Sequence, residues 1–387
     1  MRVLWVTTFP PRRCGIGDYA ADLASHMSRN QDPELRIVTY PDGVVQRVAR
    51  ENGFEVSRSL GGASPNGNLA AEIRSFDPDL LHLQSASFLH RPFVNAAVAA
   101  CEVPLITTVH DTPGSWRAFR VVRGLRRVYA RSRRLLIHSP EVGRILSGLH
   151  AVDAERIVTL PHGVDLDKYS PRAPTGDALR TYGLSGRRIV LFFGFVRPGK
   201  GLETLLTAWH RIEASHPDTV LVLAGGIPSD PRRYHLLLKN EADYPRELMN
   251  LAAALGISDR LLSTGYVPGH LVPGLLASSE VVVLPYVNAI HQSGPLHKSL
   301  ASGRAIVATN IGGFRELLED GRDSILVPPG EPEPLADAIG GLLDDPARAS
   351  DIATQAREKA EKSLGWSAVA ARTLEVYQSL LTAVAVS

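Results

Sequence analysis

The sequence predicts an α/β protein of two doubly wound domains, each a parallel sheet flanked by helices. Three observations carry this. Short apolar runs alternate with helical patterns along the whole chain, the signature of βα units. The second half repeats the scheme of the first. A length of 387 residues suits about two domains, at roughly 100–200 residues each.

In the first half, strands are expected at 3–8, 35–40, 80–84, 105–110, 135–139 and 157–160, where apolar runs are bounded by turn residues. In the second half they are expected at 189–195, 220–224, 261–266, 281–285, 305–309 and 325–327. Between the halves, LDKYSPRAPTGDALR is polar and rich in Pro and Gly, and reads as a linker near 166–176. The domains are therefore drawn at 1–170 and 171–367. The apolar residues of WSAVAARTLEVYQSLLTAV recur at helical spacing, and this last helix, 368–387, is expected to join the first domain. Two such domains make a cleft, and ligands of open parallel sheets sit at the carboxyl ends of the strands.

Composition narrows the class. With 44% hydrophobic and 21% charged residues the chain reads as an ordinary soluble protein. A net charge of +2 selects no acidic partner, and no nucleic-acid motif or aromatic stacking platform is present. Cys14 and Cys101 form neither a metal spacing nor a disulfide framework, as expected in a reducing cytoplasm. MRVLWVTTFPP runs into a strand-like stretch too short for a signal sequence, and no run of about 20 apolar residues follows.

The stretch VLFFGFVRPGKGLETLLTAW brings an apolar strand to Arg197 and Lys200 just where an amphipathic helix begins. A helix N-terminus carries about half a positive charge and unpaired N–H groups, so cations there point to an anion such as phosphate. The stretch is not a P-loop: Gly201 and Leu202 follow Lys200, and no hydroxyl is placed for Mg²⁺. A second helix start, His291-Gln292-Ser293-Gly294, is also suited to anion binding.

In the first domain, Gly15-Ile16-Gly17 lies between a strand and a helix, where glycine lets backbone approach a ligand. TTVHD puts His110 at a strand end, able to donate, accept or move a proton. His82, Gln84 and Trp116 read first as structural, with contact to the acceptor, or stacking on a sugar or base for Trp116, as the functional alternative. Asp165-Leu166-Asp167 reads as solvated acids rather than a Mg²⁺ or Mn²⁺ site. From Arg117 to Arg134, arginines at three- to four-residue spacing form a basic helix stripe. This reads as a solvated face, with contact to anionic lipid or substrate as the alternative.

Taken together, CGIGDYAADLA, TTVHD, PHGVDLDKYSP, FGFVRPGKGLETLL, GYVPGHLVPGLLASSEVVVLPY, SGPLHKSLASGRAIVATNIGGFRELL and ILVPPGEPEPLADAI resemble a retaining glycosyltransferase of family 4 with the GT-B fold. The resemblance runs the whole chain. It implies transfer of a sugar from a nucleotide diphosphate donor, a UDP-sugar first, to an acceptor hydroxyl, with no metal or cofactor. The acceptor would be a sugar, a small molecule or a lipid-linked glycan; the cysteines place the protein in the cytoplasm, and peripheral membrane contact is the alternative role of 117–134. His110 would be the active-site histidine, and Arg197 and Lys200 would hold the diphosphate. Gly15 and Gly17 would form the opening loop, and Gly265, Tyr266 and Val267 the base-binding turn. Ser293, Gly294 and Pro295 would meet the sugar and phosphates.

The family's pair of glutamates is replaced: Ile290 and Lys298 stand at those positions. A lysine offers no acceptor to the ribose usually held there, although Lys298 remains at the donor side. Two alternatives stay open at this point, a sugar-nucleotide epimerase on the same fold and a degenerate scaffold that binds nucleotide or a partner without turnover.

Overall fold

The chain divides into two units, Met1–Gly163 with Trp366–Ser387, and Val164–Gly365. The computed structural model describes residues 1–28, 33–44, 46, 48–51, 53–60, 65–85, 98, 101–110, 119–227, 243–287 and 292–386.

The first unit is built on an eight-stranded sheet. Its strands are β1 (Arg2–Val6), β2 (Glu34–Val38), β3 (Val48–Glu51), β4 (Phe54–Ser57), β5 (Leu80–Ser85), β6 (Leu105–Val109), β7 (Arg134–Ile137) and β8 (Ile157–Thr159). They lie in the order β3-β4-β2-β1-β5-β6-β7-β8, all parallel except the β3–β4 pair. Parallel strands are covered on both faces, so they read as unbroken apolar runs, and Val3 to Val6 are fully buried. The helix Gly15–Met27 buries Tyr19, Leu23 and Met27 in the same core cluster as Trp366, Val369 and Tyr377 of the helix Trp366–Val386.

The second unit has six strands, all parallel: β9 (Arg188–Phe193), β10 (Thr219–Ala224), β11 (Leu261–Gly265), β12 (Val281–Leu284), β13 (Ala305–Thr309) and β14 (Ile325–Val327). Their order is β11-β10-β9-β12-β13-β14. Strand order reverses between β9 and β12 here, and between β1 and β5 in the first unit. Such switch points open a crevice at the carboxyl ends of the strands. The helix Leu202–Ile212 covers this sheet with Leu202, Leu205, Leu206 and Trp209, a stripe at i, i+3, i+4 and i+7.

Two expectations need correction. The hairpin β3–β4 was not foreseen; its four-residue strands carry charges on their outward positions, and only Phe54, Val56 and Ser57 are buried. Residues 166–176 are not a free linker. Tyr169 and Ala173 are buried, and Arg357 Nη1 donates to Leu166 O at 3.0 Å and to Ala301 O at 2.5 Å, tying the segment to the second unit. The segment is a run of turns, as its composition suggested, but the buried Tyr169 anchors it. Asp165 Oδ1 accepts the N–H groups of Asp167 and Lys168, so this acid caps a turn.

Candidate active site

Beyond Phe193 the chain runs from Gly194 to Gly201 before the helix Leu202–Ile212. Backbone pairing carries the strand past its end: Gly194 N–H donates to Ala224 O and Val196 N–H to Gly226 O, each at 3.0 Å. The following turn is closed by Lys200 N–H donating to Arg197 O at 3.3 Å. It is pinned from outside by Val287 N–H donating to Gly199 O at 3.1 Å. Gly201 has φ of 68°, and a Cβ there would fall 1.8 Å from Pro285 O. Only glycine lets the loop lie this close to the segment after β12.

That packing delivers Lys200 to Tyr286. Its Nζ lies 3.4 Å from the Tyr286 ring centroid. Among the described residues the ammonium has no ion pair and no hydrogen bond. Burial, and then the Arg197 charge, holds its pKa well below that of a free lysine. Tyr286 is itself 1% exposed and backed by the Phe314 ring at 5.0 Å. Burial pushes its hydroxyl up to about 12, with Ser293 and Arg197 pulling the other way.

Opposite this loop begins the helix Gly294–Ala301. Ser293 is its N-cap, accepting the Leu296 N–H at 3.4 Å, and Pro295 occupies its first turn. A Cβ on Gly194 would meet Pro295 Cγ at 3.4 Å and the Tyr286 hydroxyl at 3.6 Å, so the two loops touch. Arg197, Lys200, Ser293, Gly294 and Pro295 are thus brought together around one helix N-terminus. His297, which the sequence reading passed over, is fully buried and braces the cap: Nδ1–H donates to Ser293 O at 2.9 Å, and Nε2 lies 3.1 Å from Gln292 Oε1. Lys298 points its ammonium toward Tyr169 and Phe193, 5.3 and 5.7 Å from their ring centroids. Ile290 lies outside the described residues.

Gly265 ends β11 with φ of 64° and bridges to Gly225. Tyr266 is 44% exposed, whereas the Val267 side chain is buried, so at position 267 only main chain is left to face a ligand.

In the first unit, His110 follows β6, with Nε2 3.1 Å from Gln84 Oε1. Its ring meets Tyr19 edge-on at 4.6 Å. Tyr19 is a hub that sequence reading missed: His138 and His162 pack around it at 5.2 and 5.0 Å, and Trp366 at 5.0 Å. Burial pushes its hydroxyl pKa up. Each histidine comes from a strand end, in IHSP and LPHG, and that shared position was the available signal. His82 does not join them. It is fully buried inside β5, between the Tyr377 hydroxyl at 2.5 Å from Nδ1 and Thr108 Oγ1 at 2.7 Å from Nε2. Burial lowers its pKa to about 3, which keeps it neutral. The acceptor-side alternative for His82 is therefore withdrawn: it sits in mid-strand, and a parallel strand in this sheet buries both faces. Gln84 is buried but reaches His110. Trp116 lies outside the described residues. Gly15 and Gly17 open the helix Gly15–Met27, and a Cβ on Gly17 would touch the Phe9 backbone at 3.4 Å.

The basic stripe falls on the helix Phe119–Arg131 and the start of β7. A pocket of about 490 Å³ there is lined by Ala130, Arg131, Ser132, Arg133, Arg134 and Arg156. Arg131 donates to the carbonyls of Cys101, Glu102 and Val103, and Arg156 to those of Tyr129, Ala130 and Ser132. Arg117 and the side chains of Arg120 and Arg123 lie outside the description.

Two doubly wound units, one of them with cations and a helix N-terminus at its switch point, define the GT-B class. The match is corroborated across the chain by solved structures. Sucrose-phosphate synthase from Thermosynechococcus elongatus superposes with a TM-score of 0.81 at 19% identity, covering 98% of this chain and 99% of that one. Anabaena HepE, solved in complex with UDP and glucose, gives 0.78 at 18% identity over 98% and 100%. The Glycosyl transferases group 1 family model matches residues 187–345, and the Glycosyltransferase Family 4 model matches residues 14–168. The chain belongs to the family 4 glycosyltransferases. It is 31% identical over 296 residues to the D-inositol 3-phosphate glycosyltransferase of Xylanimonas cellulosilytica, an alignment covering 71% of this chain and 66% of that relative.

Proposed function

We propose that the protein transfers a sugar from a nucleotide diphosphate donor, a UDP-sugar, to an acceptor hydroxyl with retention of anomeric configuration and without a metal. One observation carries the reading. The Lys200 ammonium, half-buried beside Arg197, has no anionic partner among the described residues. Keeping a desolvated cation next to a second cation is unfavourable unless a ligand supplies the counter-charge, and a diphosphate supplies it. Arg197, Lys200 and the N-terminus of Gly294–Ala301 then face the charge that develops on the leaving diphosphate, where fixed cations lower the barrier by several kcal/mol. The diphosphate oxygen freed in this way takes the proton of the incoming hydroxyl on the same face, which preserves configuration.

The backbone at 265–267 is assigned to the base. His110, its ring nitrogen fixed by Gln84, is assigned to the sugar. Ser293, Gly294 and Pro295 are assigned to the sugar and phosphates, and Gly15 and Gly17 to the opening loop. The relative acting on D-inositol 3-phosphate suggests a polyol or sugar hydroxyl as acceptor. We place the reaction in the cytoplasm. Arg126, Arg127 and the arginines around the pocket at Arg156 are suited to rest on an anionic membrane surface. No helix among the described residues is long and apolar enough to cross a membrane.

The test is incubation of the purified protein with UDP-, GDP- and ADP-sugars, with and without EDTA, followed by NMR of the new anomeric proton. Release or transfer of sugar with retained configuration, unchanged by EDTA, is expected. An inverted product or EDTA sensitivity contradicts the mechanism. Nucleotide binding without any turnover leaves the degenerate scaffold that Lys298 favours.

A further inference from the structure

We infer that Tyr286 is a positioning residue of the donor site: its ring face seats the Lys200 ammonium without a competing anion or carbonyl among the described residues and leaves its outward N–H donors for the ligand. The inference rests on the reading of Lys200 as a diphosphate-binding cation.

A half-buried lysine in a folded protein is ordinarily held by a carboxylate or by carbonyl oxygens. A carboxylate would cancel the charge that the diphosphate needs and would compete with it. Carbonyls would occupy the N–H groups. A ring face does neither, because it attracts the cation through the quadrupole and accepts no N–H along the outward directions. At 3.4 Å from the centroid, Lys200 Nζ lies well inside the roughly 6 Å range of that attraction.

The seat is built rather than incidental. Phe314, fully buried, backs the Tyr286 ring. Thr309 Oγ1 donates to Tyr286 O at 2.6 Å, fixing the backbone that carries it. The loop bearing Lys200 is fastened to the same segment through Val287 N–H and Gly199 O, and by the close approach of Gly201 to Pro285. The two backbones are therefore held to one another, and the ring contact orders the ammonium before the ligand arrives. Tyr286 stays a neutral phenol, so the contact remains one of cation and ring rather than an ion pair.

Calorimetric titration of UDP tests the seat in Tyr286→Phe, Tyr286→Leu and a series with fluorinated phenylalanines at position 286. Fluorination weakens the quadrupole at nearly constant ring size, so it separates seating from folding. Tyr286→Phe is expected to bind UDP within about twofold of wild type, and Tyr286→Leu about tenfold more weakly. Affinity should fall stepwise with each fluorine, and these differences should vanish in a Lys200→Ala background. Affinity independent of fluorine count, or an equal loss in the Lys200→Ala background, overturns the inference. A nucleotide-independent readout separates it from the donor reading. The Lys200 ε-methylene protons should be shifted upfield by the ring current in wild type and lose that shift in Tyr286→Leu. Absence of the shift sinks the seat even if UDP binds. Its presence together with no nucleotide binding sinks the donor reading and, with it, the role assigned to the seat.

Discussion

The two units put different kinds of chemistry past the carboxyl ends of their strands. Past β9 in the second unit, contiguous residues deliver Arg197 and Lys200, and the backbone does the positioning through Gly199, Gly201 and Val287. Past β6, β7 and β8 in the first unit, the strand ends deliver His110, His138 and His162 around Tyr19, and no single loop holds them. A charge-recognising site can be written in one short stretch, because a turn and a helix end supply its geometry. A cluster of rings has to be assembled from elements distant in sequence, with Trp366 arriving from the last helix. Under the proposed function, the first design suits the diphosphate of a donor, and the second suits an acceptor.

The division of labour can be broken by mutation. The largest effect is expected from His110→Ala, which should lower kcat by about 10²- to 10⁴-fold while UDP affinity changes less than about twofold. Steady-state kinetics alongside calorimetry checks this, and a parallel loss of UDP binding would erase the distinction between the units. Next is Gly201→Ala. With φ of 68° and Pro285 O at 1.8 Å from the new Cβ, the backbone must move, at a cost of about 2–4 kcal/mol in denaturant unfolding. The donor loop should lose UDP affinity with it.

A third prediction concerns pH and belongs to the first unit alone. Folded His82 titrates near 3, against about 6.5 in an unfolded chain. Below 6.5 the unfolded state takes up a proton that the folded state refuses. The stabilisation is therefore complete above 6.5 and is lost as pH falls toward 3, at up to about 1.4 kcal/mol per pH unit. His150, lowered to about 4 by burial and by Arg126, adds in the same direction. Urea unfolding from pH 7 to pH 4 should show this slope, shallower in His82→Gln; an unchanged slope would mean His82 is not the group responsible. The smallest effect is expected at Lys298. Lys298→Glu puts an acceptor at the position where the family resemblance places the ribose contact, and should tighten UDP by about two- to tenfold. Weaker binding would show that Lys298 itself touches the donor.

Much of this was legible in the sequence, and the failures have physical reasons. The parallel strands read clearly because both faces are buried, leaving unbroken runs such as Val281 to Leu284. The hairpin Val48–Glu51 and Phe54–Ser57 did not, since short, half-polar strands carry little periodicity, although Asn52-Gly53 between them is a hairpin turn signal. The acceptor-side alternative for His82 failed because position 82 lies in mid-strand, two residues before Gln84, which reaches His110. The segment 166–176 was misread because Pro and Gly content says nothing about Tyr169, whose burial fastens it. On the donor side Arg197 and Lys200 were visible as a motif, but the ring beneath Lys200 was not. Tyr286 is reached only through the pairing of β9 with β12, which no local pattern reveals.

The central claim is that Lys200 waits for a diphosphate. Calorimetric titration of UDP, GDP and ADP into wild type and into Lys200→Ala tests it most directly. One nucleotide should bind the wild type, and Lys200→Ala should weaken it about 100-fold, the loss of one or two charge-assisted hydrogen bonds. Equal affinity for the two proteins would contradict the account.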